Sequence, residues 1–64
     1  MDLLEIIKII SVEKMHNPYN YYEYRRVTAE VYYNGHKKII THLFLIDEWE
    51  QVKKEGHFVV KQER

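Results

Sequence analysis

The sequence predicts an α+β fold, a small curled antiparallel sheet in the order βββαβ, resembling an SH3- or OB-like half-barrel in architecture only, with one short helix between strands 3 and 4. Three observations carry that expectation. Val27 to Ile46 holds two β-rich runs joined at Asn34-Gly35, the strongest short-range hairpin signal. Asp47 to Gly56 has the start and stop chemistry of a helix. The 64 residues are 45% hydrophobic and 31% charged, which suits one small folded domain over 1–64.

The first strand is expected from about Glu5 to Met15. Leu3, Ile6, Ile7 and Ile10 fit a helical stripe, but the isoleucines and Val12 are β-branched and favour a pleated surface. Whether residues 3–12 form strand or helix stays open between these two patterns. His16-Asn17-Pro18-Tyr19-Asn20 reads as a loop, because Asn-Pro opens turns and proline cannot donate to a ladder.

The second strand spans about Tyr21 to Tyr33. Straight, it would reach roughly 43 Å, against roughly 28 Å for a compact globule of this length, so it must bend. Val27, Ala29 and Val31 set an odd apolar parity while Tyr22 and Tyr24 are even. The switch at Arg25-Arg26 predicts a β-bulge there.

Two turns can join this strand to the third, expected from about Lys37 to Ile46. A two-residue turn pairs Tyr33 with His36, Val31 with Lys38 and Glu30 with Ile39, mixing apolar and charged residues. A three-residue turn with Gly35 left-handed pairs Glu30 with Lys38, Ala29 with Ile39 and Val27 with Thr41. The second gives a charge pair and one clean apolar face, so it is the expected turn.

The helix is expected over about Glu48 to Glu55. Asp47 is the N-cap and Glu50 completes a capping-box spacing. Glu48 and Glu50 suit the positive end of the helix dipole, Lys53 and Lys54 the negative end, and Gly56 the left-handed stop. Trp49 and Val52 form its apolar stripe. His57 to Lys61 reads as a fourth, edge strand followed by a charged tail.

Chemistry has few footholds. The chain lacks cysteine, which removes disulfides and thiolate zinc sites and fits a reducing, cytoplasmic setting. His36 and His42 share a strand parity but stand about 20 Å apart, too far to hold one metal. Ser11 is the only serine and lies in an apolar run, so no activated nucleophile is in sight. The expectation is a non-enzyme with no catalytic residue, no metal and no cofactor. The apolar run from Leu3 to Val12 is shorter than the ~20 residues that cross a bilayer, and Asp2 has the wrong sign for a signal peptide, so no membrane association is expected.

A core of this size supplies roughly 3–5 kcal/mol, and self-association is the remaining staple. Ile39, Leu43 and Leu45 have one parity on the third strand and Ile40, Phe44 and Ile46 the other. A strand apolar on both sides is normally covered on both. The helix can cover one side. The side with Ile40 and Phe44 is expected to lack cover and to mark a contact surface.

Tyr22, Tyr24, Arg25, Arg26, Tyr32, Phe44 and Trp49 are therefore the candidate binding residues, tyrosine, tryptophan and arginine being what protein interfaces favour. The expected function is a non-enzymatic protein-binding module acting as a homodimer. Its size and Lys- and Ile-rich composition suit a phage- or mobile-element-type inhibitor of a host enzyme or defence system, working by steric occlusion. The alternative is a single-stranded nucleic-acid binder that stacks bases on the tyrosines beside Arg25, Arg26, Lys37 and Lys38. The formal charge of zero weighs against it.

Overall fold

The computed structural model describes residues 2–16, 18, 19 and 21–60. Its elements are β1 (Asp2–His16), β2 (Glu23–Tyr33), β3 (His36–Leu45), α1 (Ile46–Glu55) and β4 (His57–Val60). The strands form one antiparallel sheet in the order β3-β2-β1-β4. It curls into a half-barrel with the single short helix between β3 and β4.

Residues 3–12 are strand. β1 has 15 residues, which would span roughly 50 Å if straight, yet the longest dimension of the molecule is 39 Å. The bend lies within β1. Ile6 opposes Val31 and Lys8 opposes Glu30, leaving Ile7 extra; Ile9 opposes Ala29 and Ser11 opposes Thr28, leaving Ile10 extra. Each bulge adds a residue, bends the strand and raises its twist.

The bulge expected at Arg25-Arg26 is absent, since β2 pairs with β3 from Tyr24 to Tyr33 without a shift. The parity change has a simpler cause. Tyr24 belongs to the outer face with Arg26, Thr28, Glu30 and Tyr32, whereas Arg25 sits in the inner row between Phe44 and Lys14.

The expected three-residue turn is also corrected. Tyr33 opposes His36, so Asn34 and Gly35 alone make the turn. Their φ angles of 53° and 80° are both positive, as a type I′ turn requires. The pairing that looked unfavourable is accommodated locally: Lys38, opposite Val31, places Nζ 4.7 Å from the centre of the Tyr33 ring, an attractive cation–π contact. Glu30 belongs to the outer face and needs no burial partner.

This one-residue change of register turns β3 over. Val27, Ala29 and Val31 now share the inner face with Ile40, His42 and Phe44. The core is Leu4, Val27, Ala29, Val31, Phe44, Trp49, Val52 and Phe58, with Ile6, Tyr33, Ile40 and Val60 packed against it.

The helix starts earlier than expected. Leu45, in an extended conformation, is the N-cap, and its N–H donates to Glu48 Oε1 at 2.9 Å. Glu48 thus makes the back-reaching half of a capping box, and Asp47 stands inside the first turn, where it still suits the dipole. At the other end Gly56 has φ 78° and its N–H donates to the Val52 carbonyl at 2.8 Å, as a left-handed stop should. β4 pairs with Asp2–Glu5 at the sheet edge; Lys61 and the charged tail lie outside the described residues.

Candidate interaction surface

The face expected to lack cover is the core. Phe44 is 4% exposed and Trp49 3%. Their rings stack with centroids 5.6 Å apart, and Phe58 meets Phe44 edge-on at 4.9 Å. Both residues therefore hold the half-barrel together, and the expectation of an open surface around Ile40 and Phe44 fails. The exposed large apolar residues of β3 are Ile39 and Leu43, on the outer face.

The other candidates are dispersed. Tyr22 is exposed ahead of β2. Tyr24 is half-buried between Met15 and Leu45. Arg25 lies on the inner face, donating from Nη1 to the Tyr24 carbonyl at 3.0 Å and from Nη2 to Glu23 at 3.4 Å. Arg26 forks onto Glu13, with its Nη2 2.9 Å from both carboxylate oxygens. Tyr32 is exposed between Glu5 and Lys37. Tyr24 and Tyr32 share the outer face but stand at opposite ends of β2, about 26 Å apart along the strand. Between them lie Arg26, Thr28 and Glu30, and the Thr28 hydroxyl bonds that of Thr41 at 3.0 Å. A base-stacking platform needs its rings side by side, and these are not.

Tyr33 has a structural role. Its hydroxyl donates to Asp2 Oδ1 at 2.8 Å, tying the first strand to the hairpin end. That hydrogen bond to the carboxylate, then partial burial and the nearby negative charge, raise its pKa above the ordinary value of 10.0.

What the sequence reading missed is the free half of β1. β4 pairs only with Asp2–Glu5, and the Ile6 N–H is taken by the Gly56 carbonyl at 2.9 Å. From Ile7 to His16, β1 is paired with β2 alone among the described residues. The helix backbone lies close to β2, β3 and β4 but not to that of β1. Ile7, Ile9, Ile10 and Val12 consequently remain 43–49% exposed.

A long edge with this much apolar surface is a template for another strand. Two signals in the sequence pointed to it. A first strand of more than ten residues cannot be flanked along its length by a fourth strand of five. The isoleucines also recur as Ile6-Ile7 and Ile9-Ile10 ahead of Val12, a spacing of three that regular alternation cannot keep on one face.

No helix among the described residues is long and apolar enough to cross a membrane. No family model, curated protein or solved structure matches this chain.

Proposed function

We propose that the chain is a non-enzymatic protein-binding module that engages a partner along the free edge of β1. The observation that supports this most is that, among the described residues, Ile7 to His16 pair on one side only, with Ile7, Ile9, Ile10 and Val12 exposed. Such an edge adds a strand through main-chain hydrogen bonds and reads side chains on both faces. Its action is occlusion: a bound strand or surface is masked from its other users. A cytoplasmic inhibitor of a host enzyme or defence system, of phage or mobile-element type, is the specific form we favour.

The test is affinity capture from host extract with tagged wild type and an Ile9→Lys variant, followed by mass spectrometry. A protein retained by the wild type and lost with Ile9→Lys is the expected result. Identical captures with both would remove the β1 edge as the binding element.

A further inference from the structure

We propose that the free edge of β1 pairs with the same edge of a second copy of this chain, antiparallel, about a two-fold axis passing between Ile10 and Ser11. This deepens the partner-binding reading above and rests on it.

The argument starts from which way each side chain faces. Lys8 opposes Glu30 and Glu13 opposes Arg26, so both belong to the outer face. Ile9 opposes Ala29 and Val12 opposes Val27, so both belong to the inner face. In a regular strand, residues three apart lie on opposite faces. The extra residue at Ile10 brings Ile9 and Val12 onto the same one. Beyond Ile10 and Ser11, which flank the midpoint, the strand therefore reads inner then outer in both directions. Opposed residues in an antiparallel pair must share a face. A regular strand meets its own image only about an axis on a residue; the bulge lets this one do so about an axis between two.

The register that follows places Lys8 opposite Glu13 of the second copy, and Ile9 opposite Val12 of the second copy, each twice. Across four strands the outer row then runs Glu30, Lys8, Glu13, Arg26, the last two from the other copy. Its charges alternate in sign, and Glu13 and Arg26 are already joined within each subunit. The matching inner row runs Ala29, Ile9, Val12, Val27, all apolar. Shifting the register by one position sets Lys8 against Lys14 and Ile9 against Glu13. Shifting it the other way sets Lys8 against Val12. Both are worse by charge and by face.

Among the described residues the outer edges of β3 and β4 are also unpaired; that of β4 is only four residues long, and that of β3 is a poorer candidate. It turns toward β4 across the core, with the His42 and Phe58 rings 5.4 Å apart, leaving a groove lined by Asp2, Ile40, His42 and Val60 rather than an open margin.

The absence of cysteine makes the test clean. Ile9→Cys and Val12→Cys variants are prepared singly, mixed and oxidised. Opposed residues have Cα atoms about 4.5–5.5 Å apart, within disulfide reach. Two copies of position 9 are offset by about 10 Å along the strand. The expected product is the mixed disulfide, in about tenfold excess over either self-linked dimer. In sedimentation, Lys8→Glu sets like charges together at two symmetric places and raises the dimer dissociation constant about tenfold.

Self-linked dimers equal to the mixed one, or an unchanged dissociation constant for Lys8→Glu, overturn the register. A protein that stays monomeric throughout the micromolar range overturns the self-pairing. If that monomer still captures a host protein through Ile9, the broader partner-binding reading survives alone; if it captures none, both readings fall.

Discussion

The Phe58 ring meets the Phe44 ring edge-on, with centroids 4.9 Å apart. Phe44 is on β3 and Phe58 on β4, the two ends of the sheet order. Strands that share no backbone hydrogen bond are thus joined through side chains, and this contact closes the half-barrel under the helix. Truncating a buried phenylalanine costs about 3–5 kcal/mol, as much as a core of this size supplies. Phe44→Ala is expected to be unfolded at room temperature by circular dichroism, and a native-like cooperative melt would contradict the closure.

The hairpin turn makes a backbone prediction. Gly35 has φ 80°, and a Cβ there would meet only the Tyr32 hydroxyl at 4.0 Å. The cost of Gly35→Ala is therefore conformational rather than steric, about 1–2 kcal/mol. Urea denaturation should show a lower midpoint with an unchanged slope.

Helix initiation rests on Glu48 rather than on Asp47. Glu48→Ala removes the acceptor of the Leu45 N–H and is expected to cost about 1 kcal/mol. Asp47→Ala should cost less, because Asp47 contributes only to the dipole. Thermal melts of the two variants side by side decide the order, and a larger loss for Asp47→Ala would restore Asp47 as the cap.

Alkaline pH should weaken the tie between Asp2 and Tyr33. The folded-state pKa of Tyr33 is raised above the ordinary 10.0 by its hydrogen bond to Asp2. The bond's contribution is therefore complete below the unfolded value and is lost as pH climbs through the folded one. Stability measured by urea across that range should fall for the wild type and fall less for Tyr33→Phe. Parallel curves would show that the hydroxyl plays no part.

Much of the architecture was readable because local signals agreed. The Asn34-Gly35 turn position, the helix around Trp49 and Val52 and the left-handed Gly56 each rest on residues whose conformational preferences are strong. The faces of β3 were not readable, for a specific reason. From residue type alone, a lysine opposite Val31 reads as unfavourable. Lys38 instead lays its ammonium against Tyr33, a compensation visible only in three dimensions. The three-residue register exchanges Phe44 for Leu43 and puts the open surface on the wrong side of the strand. The parity change of β2 points to a bulge at Arg25-Arg26, whereas the surplus residues belong to β1. Isoleucine on consecutive positions carries no mark of which one is unopposed, so Ile7 and Ile10 could not have been singled out by pattern. Tyr22, Arg26 and Tyr32 do reach the surface, but residue type alone does not say that Tyr32 stands at the other end of β2 from the first two.

Ile7 and Ile10 have a bearing on how this protein can change. Removing either would shorten β1 by the residue that lacks an opposite number, and every remaining side chain would keep its side of the sheet. Loss of a residue almost anywhere else in the strands would swap core for solvent along the rest of the element. The chain thus contains two places where a deletion straightens rather than scrambles. Loss of Ile10 would keep the half-barrel but move any two-fold axis of this margin from between two residues onto Ser11, so fold and edge register can change separately.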